Sequence, residues 1–331
     1  MKKAISSTKL VLLFAFAILF AGCGKTDRAE APAAEAKPVK VTFGYQPTIF
    51  YTYLFLAEEE GYFREAGITP DFIRIPSANK MFQAFLAGQL HMTGLTATEI
   101  LLRGHEANPG SFVSPVMVEL NSEHVSDWVI VRKESPIKTI QDLKGKRIGS
   151  HPGTAVPGIL KRLLGLNGVD PQSVTIQELN PDVQVDALLS SAVDSIVCLE
   201  PTGTTLIQSG ECRVLYEHPF GVVAQAFPGS YAALDREFVR AHPDAARRLF
   251  EVVAKSVKRY RELVRSDRAR IDRLVVEKLG VEPKIASALS PVVYRLPEEW
   301  DAKAFSAAIE FYVTNGVLKA PITMDAIKWS K

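Results

Sequence analysis

Four stretches of this sequence place polar side chains where a strand gives way to a helix, and their chemistry is that of a non-covalent grip. The first is His151-Pro152-Gly153-Thr154-Ala155. Gly153 lets backbone come close to a bound group, and Thr154 offers a hydroxyl. The first amides of a helix opening near Ala155 have no acceptor inside that helix, so they suit a negatively charged or electron-rich group. The second stretch, from Tyr45 and Gln46 to Ile49, joins an aromatic ring to an amide. The third is Thr96 to Thr98. Thr96 also heads Thr96-Ala97-Thr98-Glu99, which matches a capping box, so its hydroxyl has a competing use. In the fourth, the Glu200 carboxylate suits a ligand ammonium or amino group; holding a loop by hydrogen bonds is the alternative. Trp128 offers a face for a planar ligand, or for a core. A helix dipole contributes roughly 0.3–1 kcal/mol, up to ~2, whereas micromolar binding needs ~8 kcal/mol. Several of these stretches must therefore converge on one solute.

The elements that must position them read as alternating strands and helices. Val39 to Tyr45 alternates as a strand does, and Phe50 to Glu60 reads as a helix ended by Gly61. Pro70 to Ile75 is a second strand. Ser77 caps a helix over Ala78 to Ala87 whose Phe82, Phe85 and Leu86 share a face, and Gly88 closes it. His91 to Leu95, Val113 to Leu120 and Trp128 to Arg132 follow as strands. Lys146 to Ser150, Val174 to Leu179 and Ser195 to Leu199 are strands separated by helices, one to about Leu166 and one from Asn180-Pro181 to about Ala192. The last third is mostly helical. From His242-Pro243-Asp244 onward, Leu249, Val252, Val253, Val257 and Tyr260 form an apolar stripe, and further helices cover Ile271 to Leu279 and Ala302 to Asn315. This alternation predicts an α/β fold with a largely parallel sheet.

Other chemistries lack their residues. With 331 residues, 47% hydrophobic, 23% charged and a formal net charge of +2, the chain is long enough for two lobes and presents no broad basic face for nucleic acid. The six histidines are scattered, and none of the three cysteines makes a C-x-x-C pair, so no metal site or cofactor is expected. P-loop, G-x-S-x-G and G-x-G-x-x-G motifs are absent.

The N-terminus reads as an export signal. Lys2, Lys3 and Lys9 precede an apolar run of 11 residues, Leu10 to Phe20. A membrane span needs ~20 residues, so residues 1–22 are expected to be a signal peptide. Leu19-Phe20-Ala21-Gly22-Cys23 resembles a lipobox, which implies lipidation of Cys23 (Phe20 departs from the usual aliphatic residue). An ordinary signal peptide with an incidental cysteine and an uncleaved anchor helix are the alternatives. Residues 23–38, rich in Ala, Pro and charge, are expected to form a flexible tether.

Three further segments carry a resemblance when taken together. They are Phe43-Gly44-Tyr45-Gln46-Pro47 with Leu56-Ala57-Glu58-Glu59-Glu60-Gly61-Tyr62-Phe63, then Asp142-Leu143-Lys144-Gly145-Lys146-Arg147-Ile148-Gly149, then Ala192-Val193-Asp194-Ser195-Ile196 through Glu200-Pro201. Their order and spacing resemble the nitrate/sulfonate/taurine and thiamine-precursor substrate-binding proteins of ABC importers. That resemblance implies a two-lobed type II periplasmic-binding fold with two hinge crossings, near Ser126 to Val131 and Phe220 to Ala226. Lobe one would comprise 39–125 plus 223–331, and lobe two 126–222. It also implies a cleft in which Tyr45, Gln46 and Glu200 occupy ligand-facing positions. The implied partners are a small organic solute, sulfonate/taurine-like or thiamine-pyrimidine-like, and a membrane permease, with the receptor a monomer held outside the cell membrane by Cys23. The implied role is not enzymatic. Two alternatives remain: an enzyme like the pyrimidine synthases of the same superfamily, whose C-C-C-F-C motif this chain lacks, and a ligand-sensing domain for a membrane partner. An oxidising compartment permits a Cys198–Cys212 disulfide, and a buried free thiol is the alternative.

Overall fold

The computed structural model describes residues 38–46, 48–75 and 77–329. The expected signal peptide, Cys23 and nearly all of the expected tether lie outside the described residues.

Among the described residues, twelve strands form two sheets. In chain order they are β1 (Val39–Tyr45), β2 (Ile68–Arg74), β3 (Met92–Ala97), β4 (Phe112–Val113), β5 (Met117–Asn121), β6 (Asp127–Arg132), β7 (Arg147–Ser150), β8 (Thr175–Glu178), β9 (Ser195–Leu199), β10 (Cys212–Glu217), β11 (Ala226–Asp235) and β12 (Val293–Arg295). The first sheet runs β12-β5-β11-β3-β1-β2, with β4 added on β11, and the second runs β10-β6-β9-β7-β8. The second sheet thus draws only on the middle of the chain, and the first on both ends. This is a two-lobed α/β fold.

Neither sheet is largely parallel, contrary to the expectation. β1 pairs parallel with β2 and β3, and β7 with β8 and β9. β11, however, lies antiparallel to β3, β4 and β5, and β6 is antiparallel to β9 and β10. The parallel pairs are those joined through helices. β11 enters straight from the connection after β10 with no helical crossover, and such a connection brings no parallel constraint.

Local rules explain much of the rest. Ser77 accepts a hydrogen bond from the Lys80 amide and so caps the helix Ala78–Leu86. In that helix Met81, Phe82 and Phe85 are buried, but Leu86 is 48% exposed. At ~100° per residue, Leu86 falls about 90° from the centre of the buried arc, so it does not share the face of Phe82 and Phe85. The stripe in the helix Pro243–Ser266 is buried as its spacing requires: Leu249, Val252, Val253, Val257 and Tyr260 are each at most 4% exposed. The strand expected over Val113 to Leu120 is broken into β4 and β5 around Pro115, which has no amide to give a ladder. The helix expected from Phe50 opens with a short 3-10 turn, Ile49–Tyr51, before Thr52–Glu59.

The expected capping box does not form. β3 runs on through Thr96 and Ala97, and the helix after it is Thr98–Ala107, with Ala97 at its cap and no side-chain capping bond. Thr96 is held in the ladder opposite Tyr231. Its hydroxyl is therefore not at a helix end, and Glu99 is released for another contact.

Candidate functional site

That contact crosses from one sheet to the other. β3 of the first sheet delivers Glu99, and β7 of the second delivers the loop His151 to Thr154 ahead of the helix Ala155–Leu166. Thr154 Oγ1 donates a 2.6 Å hydrogen bond to Glu99 Oε2. The backbone amides of Thr154 and Ala155 also favour the charged carboxylate. These are the amides that a helix N-terminus leaves without partners. Burial nevertheless dominates and raises the Glu99 pKa above the ordinary carboxylate value. Gly153 has φ +117°, and a Cβ there would stand 2.8 Å from Glu99 Oε1. The loop has no side chain where the carboxylate lies.

Other polar atoms of these junctions are buried. Burial lowers the His151 imidazole to about 4, so the ring is neutral at pH 7. Its Nε2 has no hydrogen-bond partner among the described residues, nor does Thr96 Oγ1, on a residue 1% exposed. Thr98 donates its hydroxyl to the Pro228 carbonyl at 2.5 Å, which ties the β3 junction to β11. Gly153, Thr154, Ala155, Thr98 and Glu99 are thus brought together.

Tyr45 and Gln46 stand at the end of β1. The Tyr45 ring is half-buried and packs edge-on against Phe55, with centroids 5.3 Å apart at 90°. The Gln46 carbonyl accepts from the Thr48 amide at 2.8 Å. Tyr51 links this end to β3: its hydroxyl donates to the Leu95 carbonyl at 2.6 Å and interacts with the Gln46 backbone. Tyr53 reinforces the link by donating to the Gly94 carbonyl at 2.6 Å.

Two residues are committed to internal work. Trp128 is 5% exposed, in a cluster with Ile130, Leu188, Ile196, Cys198 and Leu206. A Cβ on Gly203 would lie 2.1 Å from its indole, so the ring packs flush on that glycine. The ring is packed within that cluster. Glu200 is 3% exposed. Thr204 donates to it twice, from Oγ1 to Oε1 at 2.6 Å and from its amide to Oε2 at 3.2 Å. The Ser290 backbone, ahead of β12 in the first sheet, also favours its charged form. Burial still pushes its pKa up to about 7. Of the two roles open to Glu200, holding a loop is the one these contacts perform. Cys198 and Cys212 are both free and buried.

Sequence reasoning missed Glu99 as a site residue because it fitted a local motif. It also missed the pair at the connections between the sheets, Asp127 and His218, whose Oδ1 and Nδ1 lie 3.0 Å apart. No short-range pattern marks a pair 91 residues apart.

Comparison with known proteins agrees with this architecture. A Bacillus subtilis (strain 168) protein named for aliphatic-sulfonate binding is 25% identical over 290 residues, covering 82% of this chain and 81% of that protein. The solved periplasmic aliphatic sulphonate binding protein SsuA from Escherichia coli superposes with a TM-score of 0.72 at 18% identity, covering 89% of this chain and 93% of that one. The desulfurization enzyme DSZB also superposes, with a TM-score of 0.64 at 18% identity, covering 88% and 96%. Likenesses at such identity show the fold, and the fold hosts both binding and catalysis. The family described as NMT1/THI5 like matches residues 49–262. With its two-lobed α/β periplasmic-binding-protein fold, the chain belongs to that family.

Proposed function

We propose that this chain is the extracytoplasmic solute receptor of an ABC importer, a clamp that holds a small organic solute between its lobes and delivers it to a membrane permease. The observation that carries this reading is the Glu99–Thr154 bond at 2.6 Å, which joins strand-to-helix junctions of the two sheets. In α/β sheets ligands bind beyond the carboxyl ends of strands, and here two such ends face each other. Lobe one is assigned 39–125 plus 223–331 and lobe two 126–222. Hinge closure about the two connections is the motion such an architecture supports. Within the junctions, Gly153, Thr154, Ala155, His151, Thr96 and Thr98 are the residues this reading assigns to the solute, with Tyr45 and Gln46 at the margin. A lipidated Cys23 would keep the receptor at the membrane.

An enzyme of the same fold is the competing reading. Cys198 does not support nucleophilic catalysis: it is 1% exposed, and burial raises its thiol well above the ordinary range, so the reactive thiolate is suppressed. The test is native mass spectrometry of the purified chain. A stoichiometric small molecule released intact on denaturation supports a receptor. Chemical conversion of that molecule by the protein supports an enzyme.

A further inference from the structure

Glu99 occupies a position that a solute's own anionic group would suit. It is 6% exposed. The helix whose amides it faces, Ala155–Leu166, is 12 residues long and belongs to the other sheet. Its oxygens receive the Thr154 hydroxyl, and Gly153 is bare of a side chain on the side where Oε1 lies. At φ +117° other residues are strained, so the gap for the carboxylate is built into the backbone. Glu99 is an internal counter-anion for that helix end.

We infer that Glu99 determines which headgroup the cleft accepts: its carboxylate takes the anion seat at the Ala155–Leu166 N-terminus, so organic sulfonates are rejected and solutes presenting N–H donors or a positive charge are favoured. This inference rests on the solute-receptor reading and narrows it. A sulfonate is permanently negative, and in this seat it would displace Glu99 or share the site with it. A like charge in a site shielded from water is strongly disfavoured unless a cation offsets it. The Arg103 charge favours the ionised Glu99, but less than the hydrogen bonds from Thr154 and Ala155 do. His151 stays neutral at pH 7 and supplies no positive charge. The second carboxylate, Glu200, is also buried and has no cationic hydrogen-bond partner among the described residues. Thr96 Oγ1 and His151 Nε2, buried and unpartnered, are polar but uncharged. These loops therefore offer acceptors and neutral groups, not a cationic cradle.

The test is calorimetric titration of ethanesulfonate into the full chain and into its Glu99→Ala and Glu99→Gln variants, with circular dichroism to confirm folding. Glu99→Gln keeps the shape of the side chain and removes its charge, so it answers the question even where the alanine variant is unstable. The expected result is that at least one folded variant binds ethanesulfonate about tenfold or more tighter than the wild type. Equal affinity in all three proteins, including no detectable binding by any, overturns the assignment, as does tighter binding by the wild type. The receptor reading is checked on the same samples with the solute that co-purifies. If the wild type rebinds that solute while sulfonate affinities are equal, only the Glu99 assignment fails. If no solute co-purifies or rebinds, the receptor reading fails.

Discussion

His218 Nδ1 lies 3.0 Å from Asp127 Oδ1, and this buried pair joins the two connections that run between the sheets. Asp127 opens β6 and His218 follows β10. The same carboxylate accepts from the Phe220 amide at 3.0 Å through Oδ2, and His218 Nε2 lies 3.2 Å from the Gln225 carbonyl. Burial works against a charged imidazole, but the bond to Asp127 and its charge outweigh that effect, and the His218 pKa is raised.

A group with a raised folded pKa binds its proton more tightly in the native state. The contribution of His218 is therefore complete below its unfolded value of about 6.5 and is lost as pH rises through the higher folded value. His218→Ala leaves Asp127 buried without its partner and is expected to cost about 3–5 kcal/mol. Urea midpoints measured across pH should show the wild-type advantage over the variant shrinking as pH rises past that window.

Glu200 gives a pH dependence of its own. Its folded pKa, pushed up to about 7, stands above the 4.5 of a free glutamate, so the folded chain holds that proton more tightly. Stability from this group is present at low pH and declines as pH rises from about 4.5 to about 7, then levels off. Glu200→Gln does not titrate. Its urea midpoint should lack that decline over the same interval, whatever its absolute stability.

Gly203 is the space into which Trp128 packs. Gly203→Ala places a Cβ 2.1 Å from the present indole position, so the ring or the helix Thr202–Gln208 must shift. Overpacking of this kind costs about 1–3 kcal/mol. Thermal melts should show the loss, and tryptophan fluorescence should report a changed environment.

Cys23→Ala removes the proposed lipid attachment. One acyl chain gives weak membrane binding and two or more hold firmly, at ~0.8 kcal/mol per buried methylene. The variant is expected in the soluble fraction of a cell lysate, where the wild type pellets with membranes. Membrane retention of the variant would contradict the anchor.

What the sequence disclosed follows from the range of each interaction. β1 was readable because Val39 to Tyr45 alternates, and the helix Pro243–Ser266 because its stripe repeats over many turns. Caps within a few residues, such as Ser77, were equally plain. β11 was hidden: it contains Pro228 and Gly229, and its register against β5 shifts between Pro228 and Ser230, an irregularity that erases the strand pattern. The site was legible as loops but not as contacts. Thr96-Ala97-Thr98-Glu99 carries a true capping signature, yet Thr98 bonds Pro228 and Glu99 bonds Thr154, partners 130 and 55 residues away. Trp128 and Glu200 lie at strand ends in the sequence pattern, but only the packing of Gly203 and the bonds from Thr204 show that they face inward.

Spin labels on Lys80→Cys and Asp186→Cys, exposed positions associated with the first and second sheets, measure the distance between the lobes directly. Protein stripped of solute should show a broad distribution with a long component, and adding back the co-purified solute should collapse it to one shorter distance. A single distance, unchanged by that solute, would contradict the clamp.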